Sequence, residues 1–266
     1  MLKPIGVQLY SLRDLTVSGY AAVLKAVADI GYQCVEPAGF RNTRPSEFKK
    51  MADDLGLKII SSHTPWARQA GNLGESMEIA DILQLDKIVC GYGPDQFKDL
   101  DAIKATADNT NAMRETLEKN GFTLFQHNHD FEFGRLDGKI KYEIYKELCP
   151  GLKFEMDCFW STNRGQENAV DMLKLFADST ILLHLKDGFH PQTIVKDAEG
   201  NDRVERGVDL RPLGTGELPI KNLIKATPDC VEAIIVELDF CNIDMMTAID
   251  LSYKYLTENK LAAGNK

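Results

Sequence analysis

The chain has 266 residues, 44% of them hydrophobic, enough for a full globular core. Its 40 acidic residues against 31 basic ones leave a formal charge of −9, and Lys49-Lys50 is the longest basic run, which counts against a nucleic-acid partner. No apolar run approaches the roughly 18–20 residues a membrane span needs. Met1-Leu2-Lys3-Pro4 leads straight into strand-like sequence, so no signal peptide is expected.

Short apolar runs alternate with amphipathic segments along the whole chain. The strand candidates are Ile5–Leu9, Cys34–Glu36, Lys58–Ser61, Lys87–Cys90, Phe122–Phe125, Leu152–Met156, Ile181–Leu185 and Ala233–Glu237. Helices are predicted over Tyr20–Ile30, Pro45–Leu55, Gly74–Leu83, Leu100–Lys119, Tyr142–Leu148, Asn168–Phe176, Ile220–Lys225 and Asp244–Leu256. Pro45-Ser46-Glu47 places proline and an acid at a helix start, while Ile30-Gly31 and Asn120-Gly121 put glycine past a helix end. Eight βα units in a chain of this length match a single α/β domain, residues 1–266, folded as a (β/α)8 TIM barrel. The first turn, Gln8-Leu9-Tyr10-Ser11-Leu12-Arg13, lacks the glycines of a dinucleotide-binding sheet. The connection from Gly188 to Pro219 is too long for a plain loop. It reads as a small hairpin, with its turn at Glu199-Gly200-Asn201 inside the segment 197–202, serving as a lid after strand seven.

The six cysteines (Cys34, Cys90, Cys149, Cys158, Cys230 and Cys241) are scattered with no C-x-x-C pair, as expected of reduced thiols in a cytoplasmic protein.

Chemistry gathers where strands end. Leu124-Phe125-Gln126-His127-Asn128-His129-Asp130-Phe131-Glu132-Phe133 begins apolar and finishes in imidazoles, amides and carboxylates. Phe154-Glu155-Met156-Asp157, Leu182-Leu183-His184-Leu185-Lys186-Asp187 and Ile235-Val236-Glu237-Leu238-Asp239 end the same way. In α/β barrels the loops leaving the C-terminal strand edge hold the site, so these four ends point to one shared centre. Each residue also has a plainer reading: Asp157 as a turn or cap residue, His63 as a hydrogen-bonded rim residue, Trp160 as packing, Glu36 as a salt-bridge partner. Glu237, set among Val236 and Leu238, has the weakest structural reading, because a buried carboxylate is costly unless paired or metal-bound.

With these motifs the chain resembles the xylose isomerase-like TIM-barrel family of sugar isomerases and epimerases, which also includes inosose and dehydroshikimate dehydratases and AP endonucleases. The resemblance rests on Gly6-Val7-Gln8-Leu9-Tyr10, Val35-Glu36, Ser62-His63-Thr64-Pro65, the His127–Glu132 run, Glu155-Met156-Asp157, His184-Leu185-Lys186-Asp187, Leu213-Gly214-Thr215-Gly216-Glu217 and Val236-Glu237-Leu238-Asp239, in that order. It implies one divalent metal ion (Mn, Mg, Co or Zn) held by Gln126, Asp157, His184 and Glu237. Gln126 stands where the family has a glutamate, with His127 or His129 as alternative first ligands.

The implied reaction moves a proton next to the carbonyl of a small sugar or keto-sugar through an enediolate. Glu237 would be the base, and His63, His129 or Lys186 the proton donor. Glu132 would bind a terminal hydroxyl, Tyr10, Trp66 and Trp160 would wall the ring, and Glu36 would face the substrate. The missing carboxylate at Gln126 speaks against symmetrical two-base epimerisation. It brings forward a lyase that eliminates from a keto-inositol or keto-glycoside. A non-catalytic sugar-binding barrel is the alternative of another class, and an AP endonuclease is disfavoured by the acidic charge and the five histidines. The partner expected is a small carbohydrate or cyclitol, with no nucleic acid and no membrane, in a homo-oligomer. Gly214-Thr215-Gly216 reads either as a phosphate cradle or as a turn the backbone requires, with an unphosphorylated substrate preferred.

Overall fold

A computed structural model describes residues 1–197 and 199–266; Ala198, within the segment 197–202 of the expected hairpin, lies outside the described residues. Among the described residues, eight parallel strands form one curled sheet: β1 (Ile5–Gln8), β2 (Cys34–Glu36), β3 (Lys58–Ile59), β4 (Lys87–Cys90), β5 (Thr123–His127), β6 (Lys153–Asp157), β7 (Thr180–Leu185) and β8 (Ile234–Val236). Their order across the sheet is β3-β2-β1-β8-β7-β6-β5-β4. The two edge strands meet without a ladder. Closure comes instead from Ala67, beyond β3, which bridges to Cys90 and donates its N–H to the Val89 carbonyl at 2.9 Å.

Helices α1 (Ala21–Ile30), α2 (Pro45–Asp54), α3 (Gly74–Leu83), α4 (Leu100–Lys119), α5 (Lys141–Leu148), α6 (Ala169–Leu175), α7 (Ile220–Ala226) and α8 (Met245–Glu258) follow the strands in turn. Pro45 opens α2, and Asp99, Asn168 and Asp244 cap the backbone N–H groups at the starts of α4, α6 and α8. Gly31 and Gly121 take positive φ at the ends of α1 and α4, where a side chain would strain the backbone.

Two apolar layers result. Cys34, Ile60, Val89, Phe125, Leu182, Ala233 and Ile235 form the plug inside the barrel, while the larger core lies between sheet and helices. On its outer side, Phe154 of β6 meets Phe176 and Tyr142 at ring separations of 5.0 and 5.2 Å, bracing the strand that carries Glu155 and Asp157.

The observed strands differ from the expected ones mainly at their ends. Strand β3 stops at Ile59 and β8 spans only Ile234–Val236, whereas β5 runs two residues past Phe125 to His127. That extension decides the phase of the central motif.

The long connection contains a hairpin, Gln192–Lys196 against Asp202–Arg206, beyond an inner pair, Asp187–Phe189 against Asp209–Arg211. None of its described residues lines the central cavity.

Candidate active site

Side chains two apart on a strand share a face. Since Phe125, Leu182 and Ile235 belong to the inner plug, His127, His184 and Glu237 project inward one step nearer the C-terminal edge. Cys34 likewise places Glu36 inward. The β6–β7 register, irregular at Phe154–Glu155, sets Asp157 opposite His184. A polar layer is thereby stacked on an apolar floor.

Two overlapping clusters make up this layer: His127, Asp157, His184 and Glu237, and beside it Glu36, His63, Glu155 and His184. In each, one potential ligand atom per residue lies within 4.8 Å of the others. His184 belongs to both. Its Nδ1 is 2.7 Å from Glu237 Oε2 and 3.1 Å from His127 Nε2, and its Nε2 is 2.7 Å from Glu36 Oε2. His63 Nε2 lies 2.6 Å from Glu155 Oε2. Lys186, 1% exposed, reaches Asp157 Oδ2 at 2.5 Å, Glu237 Oε2 at 2.6 Å and Asp239 Oδ2 at 3.2 Å. Asp157 Oδ1 is occupied by the backbone N–H groups of Phe159 and Trp160, which orient the carboxylate.

The layer is short of positive charge. Glu36, Glu155, Asp157 and Glu237 are buried, and among the described residues Lys186 is the only lysine or arginine paired with any of them. Burial opposes ionisation, yet Lys186 and His184 hold Glu237 well below the ordinary carboxylate range. Burial likewise disfavours charge on Glu155, but His184 and His63 bring it down to about 2. Burial pushes His127 down to about 3, leaving a neutral imidazole. His184 is driven the other way: burial lowers it, but Glu155, Glu237 and Glu36 outweigh that and raise it well above the usual imidazole range.

Two imidazole nitrogens and two carboxylate oxygens converging in an electron-rich, buried layer fit a divalent cation. Binding would displace the His184 proton, so affinity would rise with pH.

Above the layer opens a cavity of about 330 Å³ lined by Tyr10, Ala38, His63, Thr64, Trp66, His127, His129, Trp160, Glu237 and Asp239. Its size and mix of aromatic walls and convergent polar groups are those of a small-molecule site. Gly91 gives Trp66 its place, since a Cβ there would lie 1.7 Å from the indole Cζ3.

The sequence pattern of the xylose isomerase-like TIM barrel matches residues 24–227. The chain belongs to this family. Among solved structures it is similar to a sugar phosphate isomerase/epimerase from Parabacteroides distasonis (22% identity, 99% of this chain and 96% of that one, TM-score 0.77). It is also similar to a probable 3-DHS dehydratase of petrobactin synthesis from Bacillus anthracis (14%, 96% and 98%, TM-score 0.70). A third likeness is to a D-allulose 3-epimerase from Methylomonas sp. (11%, 97% and 98%, TM-score 0.66). At these identities the likeness is one of fold. No curated protein matches the chain.

Within this xylose isomerase-like barrel the expected residues fall into three groups. Tyr10, His63, Trp66, His129, Trp160 and Glu237 line the cavity, and Asp157, His184 and Lys186 form its floor.

Gln126 is a correction. It alternates with Phe125 and His127 and so projects to the opposite face of the sheet, and its amide has no partner among the described residues. His127, left open in the sequence as an alternative, is the one that projects inward beside Asp157, His184 and Glu237. Glu36 and Glu132 are fully enclosed and do not line the cavity, so neither faces a substrate in this structure.

Glu155 and Asp239 are site residues that sequence reasoning did not single out. The signal was present: each lies two residues from a chosen residue (Asp157, Glu237) on the same strand end, and so shares its face.

Gly214-Thr215-Gly216 is a turn, with Gly214 at φ 82°. The Gly214, Gly216 and Leu218 N–H groups all donate to the Asp187 carboxylate at 2.9–3.1 Å, so they are not a vacant phosphate cradle.

Proposed function

We propose that this chain is a divalent-metal-dependent isomerase or epimerase of a small sugar or keto-sugar, moving a proton on the carbon beside a carbonyl. The observation that carries the reading is the convergence of His127, Asp157, His184 and Glu237 at the floor of a cavity walled by Tyr10, Trp66 and Trp160. A bound Mn, Mg, Co or Zn ion would supply Lewis acidity toward the carbonyl.

Every other task falls to the chain itself. Glu237 engages His184 and Lys186 through Oε2, which leaves Oε1 as the basic oxygen that takes the proton. Burial works against charge on His63, but Glu36 and Glu155 outweigh it and raise the ring above its ordinary range. His63 therefore enters as the proton donor, with Glu155 behind it. His129, lowered by burial and by Lys186, is neutral and can pass a proton either way. The aromatic walls stack on the sugar ring and exclude water. We assign the Gln192–Arg206 hairpin to closing over bound sugar.

A second reading has its own support. The cavity carboxylates, Glu237 and Asp239, leave the same strand end, while His63, His127 and His129 come from other strands. Base and acid are thus a carboxylate and an imidazole. That pairing suits β-elimination from a keto-inositol or keto-glycoside better than exchange between two carboxylates on opposite faces.

The test is proton NMR in D2O with Mn2+-free, Mg2+-loaded protein and a panel of ketoses, keto-inositols and 3-keto-glycosides. Loss of the signal beside the carbonyl, abolished in Glu237→Gln, supports the proposal, and the product separates isomer from eliminated sugar. No exchange with any of them, together with no metal in the purified protein by elemental analysis, would overturn it.

A further inference from the structure

Two clusters sharing His184 invite the reading of two cation sites, but their hydrogen bonds distinguish them. Around Glu36 every neighbour is a donor. Gln8 donates its Nε2 to Glu36 Oε2 at 2.7 Å, while its own Oε1 accepts the Tyr10 N–H at 3.0 Å, which settles the orientation of the amide. The Ser61 hydroxyl donates to Glu36 Oε1. The third partner is His184 Nε2, at 2.7 Å from Oε2, and Gln8, Glu36, Ser61 and His184 are all 0% exposed. A carboxylate already holding two donors can only accept from the imidazole. His184 Nε2 therefore carries hydrogen. Glu237 Oε2 faces Nδ1 at the same 2.7 Å, so the free ring holds hydrogen on both sides. Nδ1 is the nitrogen that would give its hydrogen up to a cation, because both Glu36 oxygens are taken while Glu237 keeps Oε1 unengaged. Nδ1 is the nitrogen that faces Glu237 and His127.

Glu155 Oε1 lies 3.2 Å from the same Nε2, an ion-pair contact without a hydrogen bond.

We propose that Glu36 is a positioning residue that fixes His184 as an Nδ1 ligand, with Gln8 and Ser61 holding Glu36 in place. This rests on the metal reading of the site. It assigns Glu36, buried beneath the cavity floor, to the imidazole behind the metal rather than to the substrate. Carboxylates behind ligating histidines commonly change metal affinity by 10–100-fold.

The experiment uses Zn2+ alone as the probe. Affinity is measured by competition with a chromophoric chelator, and the ligating nitrogen is read from ¹⁵N shifts in long-range ¹H–¹⁵N spectra of the Zn-loaded protein. Five histidines keep these spectra assignable.

The expected result is one Zn2+ per wild-type chain bound through His184 Nδ1. Glu36→Gln should bind 10–100-fold more weakly, with a native near-ultraviolet circular dichroism spectrum. The wild-type spectrum decides the matter even if that variant does not fold. Ligation through Nε2, or unchanged affinity in Glu36→Gln, overturns the assignment while leaving the metal reading intact. Two Zn2+ per chain falling to one in Glu36→Gln overturns it in favour of a second cation site. No Zn2+ binding by wild type removes the metal reading itself, and this inference with it.

Discussion

Replacing Lys186 by methionine tests the charge argument of the site most directly. The ammonium is 1% exposed and touches Asp157, Glu237 and Asp239. Removing one partner of a buried ion pair typically costs about 3–5 kcal/mol, because the charge left behind has lost both water and counter-ion. Asp157 and Glu237 carry that cost; Asp239, 27% exposed on its side chain, adds little because solvent screens it. At about 2–4 °C per kcal/mol for a chain of this order of size, melting in chelator should fall by roughly 6–20 °C.

A divalent ion sharing the same oxygens should reverse much of this. At a hundredfold excess over its dissociation constant it returns about 2.7 kcal/mol, and at one fixed ion concentration the variant, with no ammonium to displace, should gain more than wild type. The pH dependence has a definite sign. Lys186 depresses the folded pKa of both Asp157 and Glu237. Their stabilisation is therefore present above the unfolded values near 4 and lost as pH falls through the folded ones. The gap between wild type and Lys186→Met should begin to close below about pH 4. Differential scanning calorimetry between pH 3 and 8, with chelator or Mn2+, measures all of this. A gap below about 1 kcal/mol at pH 7.5 in chelator, where about 3–5 is expected, or a gap independent of pH, would refute the reasoning.

Three further outcomes follow from single positions. Asp187→Ala strips the acceptor from the Gly214, Gly216 and Leu218 N–H groups and should cost about 3 kcal/mol or more in urea unfolding; a negligible loss would mean water replaces the carboxylate. Gly91→Ala drives a Cβ to within 1.7 Å of the Trp66 ring and should expel it from the cavity wall. With any sugar that exchanges its proton, KM should then rise at least about tenfold, the scale of about 1.4 kcal/mol in binding, and an unchanged KM would exclude Trp66 from binding. Burial raises Glu132 well above the ordinary carboxylate range, so wild-type stability should decline as pH climbs from about 4.3 toward the folded value. Glu132→Gln removes that decline, and its advantage over wild type in thermal melts should grow between pH 5 and 8; a difference constant with pH contradicts the account.

The alternation of apolar runs and amphipathic segments was enough to announce the barrel, since period and length are local properties of a chain. The same holds for the helix caps and for the strand ends bearing His127, Asp157, His184 and Glu237, because barrels place their chemistry where strands leave the sheet. Phase was another matter. Gln126 and His127 are neighbours in sequence, and only the continuation of β5 past Phe125 shows which of them faces the axis. A strand's side chains alternate with a period of two, so an error of one residue turns every side chain to the opposite face. Depth was equally hidden. Glu36 and Glu237 both close strands in the sequence, yet Glu237 reaches the cavity while Glu36 lies sealed beneath it, bound to Gln8, Ser61 and His184. Those partners are 28, 25 and 148 residues away along the chain. The relation is created by parallel strands lying side by side around one axis, and it exists only once the sheet has curled.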